Sequence, residues 1–326
     1  MINIFRRFNP FNFLYLIPLA SLLCIGAFIN FPENLRPIFF EPAISNLTGN
    51  LFEKMVTPTI SVLITTILTI IQGLLLNFVV NKYNLLGKPN YLTALLYITL
   101  ASMLTPFLTL SPTLICNFLL IWMVDKFLFI YRRPEIKSVM YDLGLIVAVG
   151  TLFYFPFIVM FLLLWINLIL LRPFNWREWT AGVLGFLTVY FILFIIYLWL
   201  DKLILFRSIW LPLTHPFPTS LNIDIYDYLV LIAPALILLL FVISIRQNFF
   251  KSVIHIRKSF QLLFFMLILG LVSFYLNSNF EEYHFLLCIP PLTIYMAYYF
   301  THAKIRWLYE GSFALLILAI LYFQWF

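Results

Sequence analysis

Along the chain, long apolar runs alternate with short polar interruptions. Runs bounded by charges or turn residues fall at about 12–31, 57–80, 91–109, 112–130, 139–154, 156–171, 179–200, 228–245, 259–276, 285–302 and 307–325. Many approach the roughly 20 residues that a helix needs to cross a hydrocarbon core. The pattern therefore predicts eleven membrane segments. Strand-like alternation over about 10 residues does not recur, which excludes an outer-membrane barrel. The expected class is all-α, a polytopic helical membrane protein in which residues 1–326 form a single integral membrane domain with no soluble domain.

Composition agrees: 63% of residues are apolar and 10% charged, against about 45–50% and about 25% in soluble domains. The opening MINIFRRFNPFNFLYLIPLASLLCIGAFIN has a basic start and an apolar run, like a signal peptide. The run is long and no small-residue cleavage site follows, so it is expected to be retained as the first helix. Cys24, Cys116 and Cys288 each lie inside an apolar run without a CxxC pattern, which predicts neither a disulfide framework nor a zinc site. A net charge of +7 would suggest nucleic acid for a soluble chain. In a polytopic protein it reflects Lys and Arg on the cytoplasmic side, so no nucleic-acid partner is expected.

Topology turns on the 33 residues from Val139 to Leu171. As one helix they would span about 50 Å, well beyond a core of about 30 Å. Two passes, with Arg6 and Arg7 inside, put 16 of the 20 basic residues in the cytoplasm and leave Arg36, Lys54, Lys202 and Arg207 outside. A single pass would leave ten on each side, contrary to the positive-inside rule. Pro156 lacks an N–H and clashes with the preceding turn, so it is the natural break between two short helices. A re-entrant hairpin keeps the same sides for everything downstream. The amino terminus is thus cytoplasmic, and the outer face carries eight acids against four bases.

Three outer loops hold the candidate chemistry. In the first, Glu33 and Glu41 flank Arg36; a carboxylate there suits a base or a divalent-cation ligand on a sugar or phosphate substrate, or simply a solvated loop with a weak surface pair. In the second, His215 lies in a proline-rich loop, as proton carrier or ordinary loop residue. Asp224 and Asp227, three apart, suit cation binding or the start of a helix. The third, Asn277 to Pro291, is the densest ionisable cluster, where Glu281 and His284 can share a helix face and pair an acid with an imidazole at the membrane surface. On the inner side, Arg172-Pro173-Phe174-Asn175-Trp176-Arg177-Glu178-Trp179 suits a headgroup boundary or a lipid-phosphate contact. The middles of the apolar segments contain no Asp, Glu, Lys, Arg or His, which argues against an ion-coupled pump.

The chain length, the basic amino terminus and the RPFNWREW block resemble an uncharacterised family of multi-pass membrane proteins of Bacteroidetes-type bacteria, known as a domain of unknown function; this implies the bacterial inner membrane and no activity. The layout also resembles the GT-C type glycosyltransferases: acids at Glu33 and Glu41 in the first outer loop, paired short helices over 141–171 before a basic turn, and a late YHFLLCIPPL stretch. Here His284 stands where that group's pattern has arginine. This resemblance implies a polyprenyl-phosphate sugar donor used on the outer face, with Glu41 or Glu33 as base or metal ligand. Arg36 and His284 would hold the donor phosphates and Glu281 would orient His284. Membrane lipids are the expected partners. A noncatalytic scaffold or assembly factor of an envelope complex is the alternative, and a lipid or solute facilitator the third reading.

Overall fold

A computed structural model of the chain describes residues 1–29, 57–131, 133–210, 235–242, 253–276 and 282–325. All regular structure among the described residues is helical. The principal helices are α1 (Ile2–Arg6), α2 (Leu16–Ile29), α3 (Pro58–Lys82), α4 (Leu92–Ala101), α5 (Pro112–Ile130), α6 (Lys137–Phe153), α7 (Phe161–Leu171), α8 (Trp176–Trp199), α9 (Leu203–Ser208), α10 (Ile254–Val272), α11 (Ile289–His302) and α12 (Arg306–Trp325). Residues 235–242 are helical as well.

Four stretches are long and apolar enough to cross a membrane: Pro58–Lys82, Pro112–Ile130, Trp176–Trp199 and Ile254–Leu276. Others fall short, with 10 residues in α4, 11 in α7 and 14 in α11, or about 15–21 Å at 1.5 Å per residue. The architecture is thus helical and membrane-compatible, but the expected eleven segments exceed what helix length supports. Apolarity ran on where the helix did not. The run at 91–109, for example, leaves α-helix at Ala101 and continues as a 3-10 turn, Thr105–Leu108, containing Pro106.

Helix α3 shows what makes the helices membrane-compatible. Ile60, Leu63, Ile67, Ile71, Leu75 and Phe78 form its exposed stripe, while Ser61, Thr65, Thr69, Gln72 and Asn77 are buried. This inversion of soluble amphipathicity places polar groups where other helices can satisfy them. Helix α5 starts at Pro112, with Ser111 as N-cap accepting from the Leu114 N–H at 3.4 Å.

The stretch from 137 to 171 folds back on itself. Helix α6 ends at Phe153, Tyr154 is extended, a 3-10 turn runs from Phe155 to Met160 with Pro156 at its start, and α7 returns. The return is closed by Arg172, whose guanidinium donates to the Pro134 carbonyl at 3.1 Å. Helix α8 then packs along α6 through glycines. A Cβ on Gly144 would meet the Gly182 carbonyl, and one on Gly185 would meet the Tyr141 carbonyl. Such small residues let two backbones approach where apolar burial gives helices no advantage over lipid. Tyr141–Thr188 at 3.0 Å and Thr151–Tyr190 at 2.8 Å add hydrogen bonds along the seam.

One end of the bundle gathers the charged groups. Lys82 pairs with Asp125 at 2.7 Å, Lys126 with Asp142 at 2.8 Å, and Arg172 with Glu178 at 3.1 Å. The start of the chain docks there against the last two helices. The Met1 ammonium pairs with Glu310 at 3.1 Å, Tyr309 donates to Asn3 at 2.9 Å, and Arg6 lies 4.1 Å over the Tyr309 ring while donating to the Phe300 and Ala303 carbonyls. One hydrophobic core consequently includes residues from Ile2 to Ile320.

Candidate functional site

The end opposite the ion pairs is organised around the 3-10 turn Glu282–Cys288 that leads into α11. Such a turn leaves backbone carbonyls without helical partners, and in an apolar bundle these must be satisfied by side chains. Helix α5 supplies two donors: Thr113 Oγ1 to the Tyr283 carbonyl at 2.9 Å and Asn117 Nδ2 to the Leu286 carbonyl at 3.0 Å. Gln72 of α3 donates to the Leu114 carbonyl at 2.6 Å and accepts from the Tyr97 hydroxyl at 2.8 Å. Four helical segments thereby share one buried polar layer.

His284 anchors the other side of the turn. It is completely buried. Its Nε2 lies 3.0 Å from the Gly270 carbonyl and 3.2 Å from Ser273 Oγ, and its Nδ1 lies 2.6 Å from the Tyr154 hydroxyl. A carbonyl can only accept, so Nε2 carries the proton and Nδ1 accepts from Tyr154. The imidazole is therefore neutral and held at both nitrogens. Burial lowers its pKa to about 4, opposed by the Gly270 carbonyl. Tyr154 is available because the chain is extended between α6 and Pro156, and Ser273 and Gly270 because α10 ends there.

Of the residues expected to carry chemistry, His284 alone is described. Glu33, Arg36, Glu41, His215, Asp224, Asp227 and Glu281 lie outside the described residues. Where an imidazole at the membrane surface was expected, the ring is instead sealed among Tyr154, Ser273 and Gly270, since a turn carrying unpaired carbonyls is drawn inside the bundle. Among the described residues no group of three or more His, Cys, Asp or Glu is placed to hold a metal ion. The anticipated divalent cation rests on residues beyond them.

Sequence reasoning missed Tyr154, Ser273, Gln72, Tyr97, Thr113 and Asn117. A signal was present in α3, where Ser61, Thr65, Thr69 and Gln72 recur at three- and four-residue spacing and so share one face. For Tyr154 and Ser273 no local pattern existed, because their partner lies 130 and 11 residues away.

A family model described as "Family of unknown function (DUF6427)" matches residues 42–326. No curated protein and no solved structure matches the chain.

Proposed function

Because the chain belongs to the DUF6427 family, whose description carries no activity, we propose its function from its own residues: a multi-pass protein of the bacterial inner membrane whose outer end transfers a sugar from a polyprenyl-phosphate donor, in the manner of GT-C type glycosyltransferases. In this reading the ion-paired end is cytoplasmic, and the apolar runs make eleven passes, the shorter helices being completed by 3-10 turns.

One observation carries the choice of working end. Thr113, Asn117 and Tyr154 donate to the turn, and the His284 Nε2–H, shared between the Gly270 carbonyl and Ser273 Oγ, donates from it, so that residues 282–288 are locked in place. Catalytic groups work best on supports that do not move, and Glu281 directly precedes this support in sequence. His284 is then a positioning residue rather than a phosphate ligand.

The chemistry falls to the acids. An acceptor hydroxyl oxygen attacks the anomeric carbon, its proton passes to Glu41 or Glu33, and the bond from that carbon to the donor oxygen breaks, releasing the polyprenyl phosphate. Arg36, with Asp224, Asp227 and His215 at the second loop, orients donor and any divalent cation; positive charge near the leaving phosphate stabilises the transition state.

Saturation of both His284 nitrogens favours a second reading, a noncatalytic scaffold of an envelope complex, in which the same bonds serve only to hold the bundle. Mass spectrometry of lipid extracts from cells with and without the gene separates the two. Transfer predicts a polyprenyl-phosphate sugar that accumulates without the gene and is cleared by the wild type but not by Glu41→Gln. An unchanged lipid profile, with the protein purifying at fixed stoichiometry with partners, overturns transfer and favours the scaffold.

A further inference from the structure

Helix α10, residues 235–242 and α11 border an open cavity of about 620 Å³, within the range of about 300–1,000 Å³ typical of small-molecule sites. Its walls include Leu238, Phe241, Phe260, Phe264, Leu267 and Tyr295. Phe241 and Tyr295 pack ring to ring at 4.7 Å and Phe260 and Tyr295 at 5.7 Å, which fixes the floor. Val242 and Phe264 also line the cavity yet are 58% and 53% exposed. The opening therefore faces sideways, toward the lipid that surrounds the bundle.

Gln261 and Phe264 of α10 line the cavity, and the same face of the helix continues past its edge to Arg257. Arg257, Gln261 and Phe264 are spaced four and three residues apart and so share one face. Arg257 lies about 6 Å along the axis from Gln261, and Phe264 about 4.5 Å beyond. Arg257 Nε is buried without a hydrogen-bond partner, and Arg257 joins none of the ion pairs among the described residues. Its neighbour Lys258, in contrast, is engaged with the Leu170 carbonyl at 2.8 Å. A cation, then an amide, then aromatic and aliphatic walls is the order in which a diacyl lipid presents phosphate, ester and hydrocarbon.

We propose that this cavity binds one diacyl phospholipid from the adjoining leaflet, with its phosphate on the Arg257 guanidinium, an ester carbonyl at Gln261 and one acyl chain between Phe241 and Phe264. An arginine whose partner is a lipid phosphate needs no protein carboxylate, and a cavity filled by an acyl chain needs no side chain to fill it. Arg257 lies near the start of α10, away from the Gly270 carbonyl that holds His284, and the site stands whether or not the turn end transfers sugar.

The test is thermal unfolding of delipidated, detergent-purified protein titrated with phosphatidylglycerol, diacylglycerol, inorganic phosphate or a polyprenyl phosphate. A ligand that binds only the folded form raises the midpoint by mass action. The expected result is saturable stabilisation by phosphatidylglycerol alone, with half-saturation shifted at least about tenfold in Arg257→Gln, consistent with loss of a charge-assisted hydrogen bond. Val242→Trp, which fills the mouth from its exposed side, should abolish the effect while leaving the lipid-free midpoint near that of the wild type. Equal stabilisation by diacylglycerol, preference for the polyprenyl phosphate, or undiminished binding in both variants would overturn the assignment.

Discussion

The α6–α8 seam yields the sharpest expectation about stability. Replacing Gly144 by alanine puts a methyl group onto the Gly182 carbonyl, with the Phe186 amide nitrogen also at 3.0 Å. The obstacle is backbone, which cannot rotate aside, so the helices must separate. Forcing extra methyl groups into a packed interior costs typically about 1–3 kcal/mol. Alanine's better helix propensity returns about 1 kcal/mol, and the contact falls at the short end of distance, so a net loss of about 2 kcal/mol is expected. Gly311 is an internal control. It is also helical, yet a Cβ there meets nothing within 4 Å, so Gly311→Ala keeps the propensity gain, about 0.5–1 kcal/mol.

The two variants should therefore differ by about 3 kcal/mol, or roughly 6 °C at about 2 °C per kcal/mol for a chain of this size. The assay is built into the protein. Cys24, Cys116 and Cys288 are buried thiols, and buried thiols react only once exposed, so labelling by a thiol-reactive fluorophore during a temperature ramp in detergent reports unfolding. Gly185→Ala should behave as Gly144→Ala does. If Gly144→Ala melts at or above the wild-type temperature, the close backbone approach described here is wrong.

The remaining expectations concern charge and protonation. His284 is neutral when folded, with its pKa lowered to about 4 from 6.5, so the unfolded chain binds a proton that the folded chain refuses as pH falls between those values; stability is thus present above the unfolded value and should fall by about 1 kcal/mol from pH 7.5 to 5.5. The melting curve should show this slope, and His284→Asn should flatten it; an equal slope in the variant would locate the titration elsewhere. At the other end, Arg172→Ala leaves Glu178, whose side chain is 6% exposed, with an uncompensated charge and should cost about 3 kcal/mol. Lys82→Ala breaks a pair that is 41% and 27% exposed and should cost under about 1 kcal/mol. Equal melting temperatures for these two variants would refute the ranking.

Much of the architecture was legible along the chain because lipid imposes a one-dimensional constraint: a backbone crossing hydrocarbon must satisfy itself locally, so apolar runs become helices. That reasoning gave the all-helical class, the break at Pro156 and the gathering of Lys82, Lys126, Arg172 and Lys258 at one end. It overran at 91–109 because apolarity persists through a 3-10 turn where regular helix stops.

Tertiary structure decided everything that depends on pairing across distance. His284 looked like a surface group from its neighbours Glu281 and Glu282. Its position inside the bundle depends on Tyr154, 130 residues away, and on Gly270 and Ser273 at the end of another helix. The docking of Arg6 on Tyr309 and the backbone contact between Gly144 and Gly182 are likewise invisible to any local pattern. Hydropathy reports what a residue loses on leaving water; it carries no information about which donor will meet which acceptor, and that is settled only when the helices pack.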